Sequence, residues 1–189
     1  MKPIHLRNIP PPSETFDHIS FLEMMAKWVK PERYLELGVR DLKCFKMISK
    51  YSAESIAVDM HPIDGKLGKN MSFYLGTTDQ YFESIRNRGL LFDFIFIDAD
   101  HSHEQSLKDF LNAQEYLLED GFIFMHDTYP YNEAMFAPGL CNDCYKTPLY
   151  IKQKLKNNFE IVTLPFNPGL TIVKKMSVRK QLYYLGENE

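Results

Sequence analysis

Cysteine is scarce in this chain: Cys44, Cys141 and Cys144 are the whole complement in 189 residues. So few, and an odd number, exclude a disulfide scaffold and agree with a reducing compartment. Long apolar runs are missing as well, and the opening MKPIHLRNIPPPSE lacks the apolar stretch of a secretory signal. The expectation is a cytoplasmic chain with no membrane partner. There is no basic block either. With 22 Lys and Arg against 25 Asp and Glu, the net charge of −3 offers nucleic acid no footprint and turns attention to small molecules. Internal repeats are absent.

What is present is an ordinary globular balance, 44% hydrophobic and 25% charged, which rules out disorder for the chain as a whole and suits one domain with a substantial core. Pro3 and the run Pro10, Pro11, Pro12 predict an extended arm over residues 1–15. A single domain is expected over residues 16–175, and a polar tail over residues 176–189.

Apolar Phe16, Ile19, Leu22, Met25, Trp28 and Val29 recur at helical spacing, giving a helix that packs on a sheet and stops at Pro31. Five short apolar runs follow, each read as a strand: Arg33–Leu37, Ser55–Asp59, Met71–Leu75, Phe92–Ile97 and a fifth that starts at Gly121. Helices are expected over Leu42–Tyr51, over Asp79–Arg88 with Gly89 as left-handed cap, and over about Ser102–Leu118, where Ser102 and Gln105 have capping-box spacing. A last helix over Thr147–Asn157 precedes strands Glu160–Leu164 and Leu170–Lys174. Their link through Pro165, Pro168 and Gly169 is short enough to demand an antiparallel hairpin.

The most informative segment runs from Phe92 to Pro130. Phe94–Ile97 and Phe122–Met125 are continuous apolar runs, as strands buried on both faces of a parallel sheet require. Each then stops at acid and imidazole: Asp98, Asp100 and His101 after the first, His126 and Asp127 after the second. A right-handed crossover brings both clusters to one carboxyl edge, where open α/β sheets bind their ligands. Carboxylates gathered there repel one another unless they are protonated, paired with a base or bridged by a cation. Hard oxygens favour Mg²⁺, Ca²⁺ or Mn²⁺, and His126 permits a softer metal. A cation there would lower the pKa of a hydroxyl, and His101 could take its proton. Asp100 reads equally well as a cap near Ser102, His103 as surface, and His126 as a histidine tied to a carboxylate without metal.

At the other end, YLELGVRDLKCF is a strand, a glycine turn and a helix, with Glu36 and Gly38 at the turn. Glycine there lets backbone approach a ligand, and the helix N-terminus offers unpaired N–H groups. The second and third glycines of GxGxxG are missing, which disfavours a dinucleotide and an NAD-linked oxidoreductase. Asp59 ends the next strand, where a carboxylate can accept both ribose hydroxyls of an adenosine.

Through Glu36-Leu37-Gly38, Asp59, the DADH and HDT strand ends and the closing hairpin, the chain resembles the class I S-adenosylmethionine-dependent methyltransferases over roughly Phe16 to Lys174. That likeness implies an α/β fold, a Rossmann-like doubly wound sheet in the order 3-2-1-4-5-7-6, with the last strand antiparallel and helices on both faces. It implies that Glu36 and Gly38 border the methionine moiety of S-adenosyl-L-methionine, Asp59 its ribose, Met60 the adenine face and Thr77 or Thr78 the adenine edge, with Asp98 shared between cofactor and reaction. IDADHSH and FMHDTYP are similar to the metal-dependent O-methyltransferases, the catechol and caffeoyl-CoA group and, more closely, the macrolide-sugar enzymes. This second likeness implies a metal held by Asp98, His126 and Asp127, His101 as the base, and transfer to a hydroxyl of a sugar or secondary metabolite. His126 stands where those families carry an acid or a neutral residue. Leu42 departs from their ExGxxxG pattern, and this keeps a non-catalytic Rossmann-like binding module as the alternative.

Tyr129 to Thr147 is a long aromatic and proline-bearing loop at the reactive edge, suited to a lid or substrate wall. Tyr129, Tyr131, Phe136 and Asp143 are its candidates, although the same aromatics would serve equally to pack the loop or a homodimer contact. Cys141 and Cys144 form one CxxC. The lack of a second pair weighs against a metal or redox role.

Overall fold

The side chains of the central strands alternate between two different cores, and that alternation sets the architecture. In a computed structural model describing residues 17–166 and 168–177, β1 (Arg33–Leu37), β4 (Phe92–Ile97) and β5 (Leu117–His126) lie side by side and parallel. Leu35 and Leu37, Ile95 and Ile97, and Ile123 and Met125 form an aliphatic face. It packs against Phe82 and Ile85 of α3 (Thr78–Ile85), Phe110 and Ala113 of α4 (His103–Glu115), and Ile151 of α5 (Lys146–Lys154). The intervening Tyr34, Phe94, Phe96 and Phe124 join the opposite core, with Leu22 and Ala26 of α1 (His18–Val29) and Phe45 and Ile48 of α2 (Lys43–Ile48). Side chains on a strand point alternately to the two faces, so continuous apolar runs were needed to fill both cores. Each large side chain so buried contributes roughly 1.5–3 kcal/mol of transfer free energy.

With β2 (Glu54–Asp59), β3 (Met71–Leu75), β6 (Phe159–Leu164) and β7 (Leu170–Lys175), the seven-stranded sheet has the expected order β3-β2-β1-β4-β5-β7-β6. β7 runs antiparallel to β5, and β6 to β7. The reversal of order between β1 and β4 opens a crevice at their carboxyl ends. No helix among the described residues is long and apolar enough to cross a membrane. The arm over residues 1–15 lies outside the described residues, as does the expected tail beyond Ser177.

Local chemistry moves several boundaries. α3 starts at Thr78 because Thr77 and Gln80 form a full capping box, and it stops at Ile85 as Asn87 and then Gly89 turn left-handed. α4 ends at Glu115, short of the expected Leu118. Phe92 donates its N–H to the Tyr116 carbonyl, Leu117 drops into the core, and β5 starts there and passes through a left-handed Asp120 before Gly121. On α1, Asp17 caps the first turn by accepting from the Ser20 N–H at 2.8 Å, and Leu22 and Ala26 form the fully buried stripe. Trp28, expected to face inward, is 75% exposed. Leu42, in the position of the missing glycine, takes a left-handed backbone (φ 60) and buries its side chain beside α2. The turn is kept at a cost of about 1–2 kcal/mol that glycine would avoid.

Candidate active site

The crevice is a cavity of about 840 Å³, and its lining includes the residues expected from the sequence to hold the cofactor or carry the reaction: Glu36, Gly38, Asp59, Met60, Thr77, Thr78, Asp98, His101, His126 and Asp127. They arrive there because the parallel strands β1 to β5 all end at the same edge.

At the β1 end, Gly38 has φ +83, and a Cβ on it would lie 2.2 Å from the Asp98 carbonyl oxygen. No other residue permits the tips of β1 and β4 to meet this closely. Asp59 ties the following loop down. Its Oδ2 accepts from the Val39 and Arg40 N–H groups at 3.0 and 3.2 Å, and its Oδ1 from the His61 N–H at 2.9 Å. Burial alone would raise this carboxyl, but the three backbone donors hold it below its ordinary value. Glu36 is buried beneath the loop and accepts from the Tyr34 hydroxyl. Burial, offset in part by that hydrogen bond, pushes its carboxyl up to about 8.

At the α3 end, Thr77 is exposed and spends its hydroxyl on the helix cap, while Thr78 donates to Oδ1 of Asp109 at 2.6 Å. Gln105, expected to close a capping box with Ser102, instead sends its amide to Asp109 (2.9 Å) and to Thr78 (3.2 Å). Asp109 had no signal in the sequence, since a lone acid on an amphipathic helix reads as a solvated one. Asp109 is fully buried, and burial pushes its carboxyl up to about 6.

The reactive edge is denser. Nε2 of His101 lies 3.0 Å from Oδ2 of Asp127 and 3.6 Å from Oδ1 of Asp98, and the Leu140 carbonyl accepts from Nδ1. Nδ1 of His126 lies 3.1 Å from Oδ1 of Asp98 and 3.5 Å from Oδ2 of Asp127. Hydrogen bonds that Nε2 donates to Asp127 and Asp98 raise His101 to about 10. Burial opposes the charge on His126, yet Asp98 and Asp127 bring it to about 10 as well. The same pairs keep Asp98 and Asp127 below the usual carboxylate range although burial alone would raise both. Without a cation, then, two imidazoles balance two carboxylates.

Among the described residues, one group brings ligand atoms within 4.8 Å of one another in a manner that could hold a metal: Asp98, His101 and Asp127. His126 was expected in that set from the sequence, with His101 apart from it. The structure has His126 beside Asp98 through Nδ1, its Nε2 buried and without a hydrogen-bond partner among the described residues. A third histidine lies here that no sequence signal marked. His18, the first residue of α1, lines the cavity with its ring 3.9 Å from that of His126, and its Nδ1 too is buried and unpaired among the described residues.

The loop after β5 contributes Met135, Gly139 and Leu140 to the cavity lining, not the candidates Tyr129, Tyr131, Phe136 and Asp143. Phe136 packs edge-on against Tyr145, and Asp143 accepts from the His103 N–H at 2.7 Å. His103, expected at the surface, is partly buried, with Nδ1 2.9 Å from the Thr147 hydroxyl. Asp100 accepts from the Ser102 N–H at 2.7 Å, the capping role weighed for it. Both loop cysteines are buried at Asp127, and burial pushes the Cys141 thiol up to about 12 and that of Cys144 upward too.

A family model described as a methyltransferase domain matches residues 22–128. No curated protein sequence matches the chain. Among solved structures it is similar to the O-methyltransferase from Bacillus cereus in complex with SAH, at 13% identity and a TM-score of 0.64 over 89% of this chain and 85% of that one. It is also similar to the SAH-bound methyltransferase PaMTH1 of Podospora anserina, at 18% identity and a TM-score of 0.61 over 84% and 78%. The methyltransferase MycE of the mycinamycin biosynthetic pathway, in complex with Mg, SAH and mycinamycin VI, matches at 15% identity and a TM-score of 0.57, over 76% of this chain and 44% of that one. The chain belongs to the methyltransferase domain family and has the seven-stranded Rossmann-like fold of the class I, S-adenosylmethionine-dependent methyltransferases.

Proposed function

We propose that this protein transfers a methyl group from S-adenosylmethionine to a hydroxyl of a small molecule, a sugar or secondary metabolite, and that a divalent cation assists. The observation that carries this reading is the convergence of Asp98, His101 and Asp127 in the lining of the cavity that Gly38 and Asp59 also line. A donor site and an acidic, imidazole-bearing site share one crevice.

In this reading Asp59 binds the ribose, Glu36 and Gly38 border the methionine end, Met60 covers the adenine face, and Thr77 or Thr78 meets its edge. The oxygen-rich set Asp98 and Asp127 suits Mg²⁺ or Mn²⁺. A cation bound there supplies the charge that makes a hydroxyl acidic at neutral pH. His101 would take the departing proton at Nε2, the nitrogen that the Leu140 carbonyl's hold on Nδ1–H leaves facing the acids, once a bound cation offset the carboxylates that keep this nitrogen protonated in the free protein. A second reading makes Nε2 of His101 the third ligand, supported by the 4.8 Å convergence. His126 then serves the acids from the side. The three free thiols suit a cytoplasmic setting.

Calorimetry with S-adenosylhomocysteine, followed by methyl-transfer assays on diol and catechol acceptors with and without chelator, tests the proposal. Binding together with chelator-sensitive transfer is expected. A protein that fails to bind the cofactor product even at millimolar concentration is instead a binding module of the same fold.

A further inference from the structure

Resting on the cation reading, we propose that Cys141 and Cys144 are positioning residues that hold Asp127 with one carboxylate oxygen turned toward the site. Asp127 is 6% exposed and has a left-handed backbone, φ +58, that residues other than glycine adopt sparingly. Two thiols bracket it. Sγ of Cys141 donates to Oδ1 at 3.6 Å, and Sγ of Cys144 donates to the Asp127 carbonyl at 3.0 Å. With Oδ1 engaged by the thiol, Oδ2 is the oxygen facing His101 at 3.0 Å and His126 at 3.5 Å.

The CxxC spacing explains how two side chains reach one residue. The Cys144 N–H donates to the Cys141 carbonyl at 3.3 Å, a turn that puts positions three apart on the same side. Both side chains are buried, so water does not compete for their S–H groups. An oxygen acceptor opposite each sulfur calls for the protonated thiol, which is why the pair works as two donors and neither as a zinc corner nor as a redox couple. The same stretch sends the Leu140 carbonyl to Nδ1 of His101. Residues 140–144 thereby set the orientation of both Asp127 and His101. A group that orients a ligand in this way is typically worth about 10- to 100-fold in metal affinity.

Mn²⁺ titration followed by electron paramagnetic resonance tests this, using the full chain and its variants Cys141→Ala, Cys141→Ser and Cys144→Ala, with S-adenosylhomocysteine binding measured on each. The alanine variants should bind Mn²⁺ about tenfold or more weakly. Cys141→Ser, which keeps a donor, should recover most of the loss. S-adenosylhomocysteine affinity should stay at its wild-type value, since Asp59 and Gly38 are untouched, and a merely structural role would lower both affinities together. Where Cys141→Ala loses both ligands, Cys141→Val restores the volume without the donor and takes its place. Mn²⁺ binding by the Ala or Val variant as tight as wild type overturns the positioning role while leaving the cation site standing. No Mn²⁺ binding by the wild type overturns both.

Discussion

A Cβ on Gly38 would lie 2.2 Å from the carbonyl oxygen of Asp98 and 2.7 Å from Cα of Ala99. The opposing atoms are backbone, so nothing flexible can move aside. The two strand tips are joined as well by the Asp98 N–H on the Leu37 carbonyl at 2.8 Å, and the Gly38 N–H holds the Val58 carbonyl at 2.8 Å. Gly38→Ala therefore either separates β1 from β4 or strains a φ of +83. A loss of at least about 1–2 kcal/mol is expected, together with loss of S-adenosylhomocysteine binding. Denaturant titration and calorimetry check it. A variant as stable as the parent with intact binding removes the close approach from the account.

Glu36 should make stability depend on pH. A carboxyl raised from 4.5 to about 8 holds a proton in the folded protein that the unfolded chain has released. Its contribution is complete below about 4.5 and is lost as pH rises through about 8, so between these values the protein weakens with rising pH. Glu36→Gln should flatten that fall by more than about 1.4 kcal/mol, the worth of one pKa unit. Unfolding midpoints at pH 5.5 and pH 8.5 on both proteins measure it. Identical slopes would place the proton elsewhere.

The strands were readable because Phe94–Ile97 and Phe122–Met125 are apolar throughout and end at acid, a pattern dictated by burial on both faces. The strand tips followed from that, and with them Asp59, Asp98 and Asp127. The start of β5 at Leu117 was not readable. Glu119 and Asp120 look like the end of a helix, and only pairing with Phe92 draws the segment into the sheet. His18 escaped because one polar residue at a helix start carries no periodic signal. The thiols escaped for a related reason: CxxC spacing says that two side chains share a side and says nothing of what they face.

The two tilted rings of His18 and His126, 3.9 Å apart, leave Nδ1 of one and Nε2 of the other buried and unpaired among the described residues. A buried polar atom without a partner costs about 1–3 kcal/mol. His18→Phe keeps the ring and removes one such atom. It should stabilise the free protein by about 1 kcal/mol, a rise of roughly 2–4 °C in Tm for a chain of this size. Methyl transfer should fall if that nitrogen serves the acceptor. A melting scan and a turnover assay on the same preparation give both signs. Lower stability would show that Nδ1 is satisfied in solution.

Asp127→Asn changes one charge and almost no volume, and it keeps an acceptor for Cys141 when the amide oxygen takes the place of Oδ1. Asp127 follows β5, whereas Asp59, which anchors the loop after β1, takes its backbone hydrogen bonds from Val39, Arg40 and His61. Loss of the charge removes half of the acidic pair that a cation would bind, so Mn²⁺ affinity should fall by more than the 10- to 100-fold typical of a supporting group. S-adenosylhomocysteine affinity should not change. Chelator should abolish transfer by the wild type, and added Mg²⁺ should restore it there but not in the variant. Transfer that persists at full rate in chelator would instead leave His101 and His126 as the only counter-charges to Asp98 and Asp127, the state that the ion pairs of the free protein already describe.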